Sequence, residues 1–266
     1  MSWCEELFGT NKPIIGMVHL KALPGTANFD GDMEKVYAAA IKDAKALEEG
    51  GVNGIMVEND GDMPFTHLLT TEQTAALAAL TAVIKEHTNV PIGVDAAFSD
   101  YKSALACAKG ARADFIRLPV FVDTVVSFNG IMEACSGEAL KYRKAINATE
   151  IRILADVQVK YTHMLNPNIS LEESAVWAGA CGADGVIVTG SHTGGETPLD
   201  AVKRVKSKVK IPVFIGSGVT TDNADEQLDI ADGAIVGSSL KTDGVIDSSK
   251  VRELMEKILF RCASVG

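Results

Sequence analysis

The segment Arg152–Lys160 alternates between apolar and polar side chains, and its polar members include a carboxylate, an amide and an amine. Successive side chains of a strand point to opposite faces, so the apolar members are expected to pack against helices: Ile153, Ala155, Val157 and Val159. The polar members then point to the other face: Asp156, Gln158 and Lys160. An inward acid and amine favour contact with a substrate, and a buried structural ion pair is the alternative.

Other apolar runs along the chain also end in polar or ionisable residues or in a glycine: His19, Glu58, Asn59, Asp95, Arg117, Thr189 and Gly190. If these ends meet at one edge of a sheet, they form a ring of the kind that supports general acid–base catalysis. We take four residues as catalytic candidates: Glu58, Asp95, Asp156 and Lys160. The others, together with Gln158, are candidates for substrate binding.

The ring suggests proton transfer as its chemistry. One of the carboxylates Glu58, Asp95 or Asp156 would take a proton next to a polarised carbonyl group, while Arg117 or Lys160 stabilises the enolate or oxyanion. Lys160 could instead form a Schiff base in a desolvated pocket or clamp a phosphate or carboxylate. The three carboxylates could also converge on a divalent cation such as Mg²⁺, although their spacing defines no metal site and no organic cofactor is implied.

Two short glycine loops near the end of the chain predict a phosphate site. Gly216-Ser217-Gly218 and Gly237-Ser238-Ser239 each follow a buried apolar run and lead towards a helix. Glycine lets the backbone approach an anion closely, and a helix N-terminus supplies unpaired N–H groups. Paired loops of this kind hold phosphate after the last two strands of (β/α)8 barrels. A small phosphorylated ligand is the partner we expect.

These residues need a scaffold that brings strand ends together, and the periodicity predicts a single (β/α)8 TIM barrel over residues 1–266. Eight apolar strands alternate with eight amphipathic helices, which is the number that closes a parallel sheet. A doubly wound open sheet is the alternative, but it explains the paired terminal loops less well. Trp177 and Phe260 fit helix faces that pack on the barrel. The predicted strands are Pro13–His19, Gly54–Asn59, Pro91–Asp95, Asp114–Pro119, Arg152–Lys160, Gly185–Gly190, Pro212–Gly216 and Ala234–Gly237. The predicted helices are Asp32–Glu49, Thr70–Glu86, Asp100–Lys109, Gly137–Ile146, Leu171–Cys181, Leu199–Ser207, Asp222–Ile230 and Ser249–Phe260.

The composition limits the partners. The chain has a net charge of −10, so a nucleic-acid or anionic-membrane surface is not expected. No apolar run reaches the roughly 20 residues of a membrane span, and the first residues lack the pattern of a secretory signal. Five scattered cysteines without metal-type spacing favour a reduced, cytoplasmic protein. A homo-oligomer is compatible with all of these features.

Several segments resemble the BtpA/SgcQ family of TIM-barrel proteins, in order and over nearly the whole chain. They are 14–20 with 23–25, 58–65, 153–160, 188–191, 216–220 and 232–244. The resemblance implies one barrel related to the ribulose-phosphate-binding barrels. Gln158 departs from the family pattern, which has His there, and Gly194-Gly195-Glu196 stands where a Lys is common.

The functions that this resemblance implies disagree with one another. One is the accumulation of photosystem I proteins in cyanobacteria, and the other is a place beside sugar-uptake genes. The leading hypothesis is an isomerase, epimerase or lyase that acts on a phosphorylated sugar or nucleoside. Metal-assisted hydrolysis of a phosphoester or glycosidic bond is the second hypothesis for an enzyme. A non-catalytic assembly or stability factor is the alternative from another class, because a fold alone does not determine a function.

Overall fold

The computed structural model describes the backbone of residues 2–264 and the side chains of residues 2–259, so the prediction for Phe260 lies outside the described residues. Eight parallel strands close into a barrel in which the first strand is hydrogen-bonded to both the second and the eighth. The predicted TIM barrel is therefore confirmed. The strands are β1 Ile14–His19, β2 Gly54–Glu58, β3 Ile92–Asp95, β4 Phe115–Leu118, β5 Arg152–Asp156, β6 Gly185–Val188, β7 Val213–Ile215 and β8 Gly233–Val236.

Helices surround the barrel, and several begin at the capping residues that their sequences supply. Asp32 accepts a hydrogen bond from the N–H of Lys35 at the start of α2, and Thr70 forms a capping box with Gln73 at the start of α3. Gly51 ends α2 with a left-handed φ of 94°. The helices are α1 Trp3–Phe8, α2 Met33–Gly50, α3 Thr71–His87, α4 Tyr101–Ala111, α5 Ser136–Ala145, α6 Leu171–Ala180, α7 Leu199–Lys206, α8 Ala224–Ile230 and α9 Ser248–Ser264.

The core has two layers separated by the strands. Outward side chains of the strands pack against the helices, while inward ones form a smaller cluster that includes Phe115 and Phe214. Gly93 makes room for the Phe115 ring, because a Cβ there would lie 2.2 Å from its Cε2 atom. Helix α1, which the periodicity did not predict, adds Cys4 and Phe8 to the inner cluster. It thereby closes the barrel end opposite the strand C-termini.

Strand β5 is shorter than predicted, and its end changes the direction of the following side chains. Ile153, Ala155 and Val157 join the outer layer as expected. The strand ends at Asp156, and Gln158 has a left-handed φ of 48°, so the alternation stops there. Val159 therefore packs at the barrel mouth and lines its cavity, which corrects its predicted place against the helices.

Two small sheets lie outside the barrel. Val125–Ser127 pairs antiparallel with Gly130–Met132 and with His163–Met164, within the connections that follow β4 and β5. Lys241–Thr242 pairs with Val245–Ile246 after β8. Trp177 on α6 is 43% exposed, so its assignment to the core was wrong. Across residues 2–264, no helix is long and apolar enough to cross a membrane.

Candidate functional site

A cavity of about 550 Å³ opens at the C-terminal ends of the barrel strands. It brings together most of the residues selected from the sequence: His19, Glu58, Asp95, Arg117, Lys160, Gly216, Ser217, Gly218, Gly237, Ser238 and Ser239. Five of the selected residues do not line it: Asn59, Asp156, Gln158, Thr189 and Gly190. The strand-end pattern thus locates the cavity.

The floor of the cavity comes from the last inward-facing positions of neighbouring strands. Glu58 on β2 pairs in register with Asp95 on β3, and Asp95 pairs with Arg117 on β4. The inward positions before them are apolar or glycine, such as Met56 and Gly93. Each strand therefore changes from apolar to ionisable at the level where the lumen meets the open mouth.

Arg117 and Asp156 form a buried, two-pronged ion pair beneath the cavity. Nε and Nη2 of Arg117 donate to Oδ1 and Oδ2 of Asp156, both at 2.8 Å. Burial alone would lower the pKa of Arg117, but the charges of Asp156 and Asp95 raise it above its ordinary value. The pair keeps Arg117 charged and fixes its orientation, whereas Asp156 lies off the cavity surface.

Asp95 is buried and only partly satisfied. Its Oδ2 lies 3.5 Å from Nη1 of Arg117, and its Oδ1 has no hydrogen-bond partner among the described residues. Burial, followed by the nearby charge of Glu58, raises the pKa of Asp95 well above its ordinary value, although Arg117 opposes the rise. A carboxyl group in this setting keeps its proton to a higher pH than an ordinary aspartate does.

Glu58, His19 and Lys241 form a chain at one side of the floor. Nε2 of His19 lies 3.5 Å from Oε2 of Glu58, and Nζ of Lys241 lies 2.5 Å from Nδ1 of His19. Burial and Lys241 lower the pKa of His19, and Glu58 partly offsets them. A lysine ammonium has only protons to donate, so Nδ1 accepts and Nε2 carries the ring proton towards Glu58. Lys241 was not among the residues selected from the sequence.

Lys160 reaches the cavity from the segment after β5. Its backbone N–H donates to Oγ1 of Thr189 at 3.1 Å, so Thr189 positions the lysine from outside the cavity. Burial and the neighbouring charge of Arg117 lower the pKa of Lys160. The next residue, Tyr161, accepts from the N–H of Thr193 at 2.7 Å and thereby joins this segment to the loop after β6.

The two glycine loops lie side by side at the mouth. The hydroxyl of Ser239 donates to the carbonyl of Val219 at 2.7 Å and links the loops. Gly218 has a left-handed φ of 76°, and a Cβ there would lie 2.3 Å from Cα of Glu196. No hydrogen bond within residues 2–264 uses the amide N–H of Gly218, Ser238 or Ser239. These donors remain available to an anion in the cavity.

Ser217 and Gly190 support the first glycine loop from behind. The hydroxyl of Ser217 accepts from the N–H of Gly190 at 2.8 Å and donates to the carbonyl of Gly195 at 3.0 Å. A Cβ at Gly190 would lie 2.5 Å from that same carbonyl oxygen. Gly190 therefore permits close packing of the loops after β6 and β7.

Asn59 and Gln158 hold loops together through buried side chains. Asn59 accepts from the N–H of Ala97 at 2.7 Å and donates to Asp62 at 2.8 Å. Gln158 donates to the carbonyl of Ile169 and to the hydroxyl of Ser174, on the helix side of the barrel. Its predicted inward direction was wrong because the backbone turns at this residue.

Three phenylalanines, which sequence reasoning missed, form one side of the cavity: Phe65, Phe98 and Phe128. They stand in loops after three different strands, so no local spacing relates them. The sequence offered no clear signal either, since Phe128 shares its connection with Phe121 and several other apolar residues. In the described part of the chain, no three His, Cys, Asp or Glu side chains are grouped as they would be to hold a metal ion.

Comparison with known proteins places this barrel in a family. The model of the BtpA family matches residues 10–259. The chain belongs to the BtpA family. It is 36% identical over 249 residues to the photosystem I biogenesis protein BtpA of Synechocystis sp., covering 92% of this chain and 85% of that one. It is also 34% identical over 268 residues to the putative sgc region protein SgcQ of Escherichia coli, covering 97% and 98%. An uncharacterized protein of Archaeoglobus fulgidus is 38% identical over 245 residues, covering 92% and 97%.

Solved structures with the same fold include phosphate-handling enzymes. (S)-3-O-geranylgeranylglyceryl phosphate synthase from Thermoplasma acidophilum, in complex with sn-glycerol-1-phosphate, has a TM-score of 0.65 at 19% identity, covering 97% of this chain and 98% of that one. Thiamine phosphate pyrophosphorylase from Pyrococcus furiosus has a TM-score of 0.62 at 17% identity, covering 94% and 97%. At these identities the similarity establishes the barrel fold for the BtpA-family chain.

Proposed function

We propose that this BtpA-family chain is a cytoplasmic enzyme that binds a small phosphorylated metabolite and moves a proton next to a carbonyl group. The observation that carries the proposal is that Gly218, Ser238 and Ser239, whose amide donors are unused, line the same cavity as the charged floor. Phosphate on the glycine loops would leave the rest of the substrate above Glu58, Asp95 and Lys160. The phosphorylated compounds in the names of structural neighbours, with sn-glycerol-1-phosphate bound in one of them, support the same class of substrate.

Under this proposal each group on the floor has a role. Glu58, with the ring proton of His19 beside it, takes a proton from the carbon next to the carbonyl. The electron pair moves to the carbonyl oxygen, where the charges of Lys160 and Arg117 stabilise it. Asp95, which holds its proton because of burial, donates that proton to the oxygen and completes an enol. In an enediol, Glu58 can return its proton to the former carbonyl carbon while the other hydroxyl gives its proton back to Asp95, and the result is an isomerisation. Delivery of a proton from the opposite side to the original carbon, while the enol hydroxyl returns its proton to Asp95, gives an epimerisation.

Asp156 acts through Arg117 in this scheme and is therefore a positioning residue. Both of its oxygens are engaged by the guanidinium, so neither is available to a substrate. Thr189 has a comparable role through the backbone of Lys160, and Gly190 and Ser217 through the first glycine loop.

The experiment that tests the phosphate site compares two serine substitutions that add the same charge. Ser238 is exposed at the glycine loops, and Ser249 is exposed on α9, away from the cavity. We expect Ser238→Asp to weaken the binding of ribose 5-phosphate and inorganic phosphate at least tenfold in calorimetry, because the new carboxylate repels the anion. Ser249→Asp should bind both probes as the wild type does. Equal affinities for the two variants, or no binding of either probe by the wild type, would contradict the proposal.

A non-catalytic assembly role, as the name of the Synechocystis relative suggests, makes the opposite forecast. A scaffold has no need of a phosphate ligand, so the wild type would then show no thermal stabilisation by sugar phosphates or nucleotides. Stabilisation that Ser238→Asp removes favours the enzyme.

A further inference from the structure

Three phenylalanine rings form an aromatic wall in the cavity: Phe65, Phe98 and Phe128. The ring centroids of Phe65 and Phe98 are 6.5 Å apart, those of Phe65 and Phe128 are 6.4 Å apart, and those of Phe98 and Phe128 are 5.7 Å apart. These separations are typical of interacting aromatic rings. The three rings therefore act as one continuous surface.

The wall is open to the cavity. Phe98 is only 8% exposed and anchors the group, whereas Phe128 is 49% exposed at the turn of the hairpin Val125–Ser127 and Gly130–Met132. A phenylalanine that is half exposed on a turn contributes little to the stability of the fold. The proton transfer proposed above also does not use any of the three rings.

The closed strand order places the aromatic wall across the mouth from the glycine loops. Phe65, Phe98 and Phe128 follow β2, β3 and β4, and the glycine loops follow β7 and β8. In a ring of eight strands, β3 and β4 stand opposite β7 and β8. Glu58 and Asp95, at the ends of β2 and β3, line the same cavity as the aromatic wall and the glycine loops.

We propose that the substrate carries an aromatic ring, such as a nucleobase or an aryl group, at the end away from its phosphate. This inference rests on the proposed function, because the glycine loops must hold the phosphate for the far end to reach the wall. The stacked, tilted and edge-on contacts among the three rings leave faces and edges on which a fourth ring would continue the same packing. An aliphatic chain would gain area there but none of this ring-to-ring geometry.

The first experiment measures the binding of four probes to the wild-type chain by calorimetry: adenosine 5′-monophosphate, uridine 5′-monophosphate, ribose 5-phosphate and n-octyl phosphate. The nucleotides test binding alone and are not offered as substrates. We expect at least one nucleotide to bind about tenfold or more tightly than ribose 5-phosphate and more tightly than octyl phosphate. An equal affinity of ribose 5-phosphate and both nucleotides would overturn this inference and leave the proposed function standing. An equal gain for octyl phosphate would also overturn it, since the wall would then be a general apolar surface.

A pair of variants on one hairpin tests the wall itself. Phe128→Ala should remove the advantage of the nucleotides while leaving the affinity for ribose 5-phosphate within about twofold. Ile131→Ala is the matched control, because Ile131 is 57% exposed on the same hairpin and does not line the cavity. A nucleotide affinity that Phe128→Ala leaves unchanged would overturn the inference. Failure of every phosphorylated probe to bind would overturn the proposed function and this inference together.

Discussion

Arg117 occupies both carboxylate oxygens of Asp156, through hydrogen bonds of 2.8 Å from Nε and Nη2. The sequence suggested Asp156 as a catalytic base and a structural ion pair as the alternative. The geometry favours the alternative for its direct contacts, while its effect on catalysis through Arg117 remains a prediction. The floor of the cavity depends on this pair for the position of its guanidinium.

We expect Asp156→Asn to destabilise the protein by about 3–5 kcal/mol, because it removes the two-pronged partner of a buried guanidinium and leaves only Asp95, 3.5 Å away. The free energy of unfolding from urea titration measures this. Asp60→Asn is the control, since Asp60 is exposed and also borders the cavity, and it should cost little. An Asp156→Asn variant as stable as the wild type would return Asp156 to the list of candidate bases.

Asp95 should make the stability depend on pH in a particular direction. Its pKa is raised in the folded state, so the folded protein holds this proton more tightly than the unfolded chain does. The stability linked to this proton is present below the ordinary aspartate pKa of about 4 and is lost as pH rises through the raised value. Asparagine does not ionise, so the Asp95→Asn variant does not lose this stability as pH rises.

The stability difference between Asp95→Asn and the wild type should therefore increase as pH rises above about 4, and level off above the raised pKa. Urea unfolding of both proteins at a series of pH values measures the difference and cancels the titration of groups common to both. A difference that stays constant with pH would show that Asp95 ionises as an ordinary aspartate.

Glu58→Gln should abolish proton transfer and leave the fold intact. Glu58 is not part of the buried ion pair, and glutamine has the same shape without the basic oxygen. We expect the exchange of solvent deuterium into ketose and aldose phosphates, ribulose 5-phosphate among them, to fall by about 10²–10⁴-fold. Proton NMR follows the exchange, and the melting temperature should stay close to that of the wild type. Exchange that continues at the wild-type rate would exclude Glu58 as the base.

Lys160 should react as an amine at lower pH than an exposed lysine. Burial and the charge of Arg117 lower its pKa, and its side chain is still accessible from the cavity. Brief acetylation with acetic anhydride across a pH series, followed by peptide mapping, should label Lys160 ahead of the exposed Lys21. Prior addition of ribose 5-phosphate should protect Lys160 alone. Equal labelling profiles for the two lysines would contradict a lowered pKa.

The eight strands and their order were predictable because each strand repeats the same physical pattern. Its outward side chains are apolar and a helix follows it, and each of the first five strands has a polar last inward side chain. His19, Glu58, Asp95 and Arg117 were therefore found by position in the pattern alone. Helix α1 was missed because it belongs to no strand–helix repeat.

Other features depend on contacts between distant parts of the chain and could not be read from local spacing. The pairing of Arg117 with Asp156 joins two strands, and the aromatic wall joins three loops. Gln158 was misplaced because alternation holds only while the backbone is extended, and here φ becomes positive. The backbone conformation at Gln158 thus turned Gln158 away from the cavity and Val159 into it, while Lys160 still reached the cavity.

The meeting of β1 with β8 has a consequence for how the protein is made. A ribosome releases β1 first, yet its second neighbour in the barrel is the last strand to emerge. Until Gly233–Val236 has been synthesised, β1 and β7 each keep an unpaired edge of N–H and carbonyl groups. His19 also lacks its neighbour Gly237 until the end of synthesis. The two residues pack closely, since a Cβ at Gly237 would lie only 3.0 Å from the His19 ring. Nascent chains that end before residue 233 therefore carry the aromatic wall and the charged floor on an open sheet, whose unpaired edges can pair with strands of other chains.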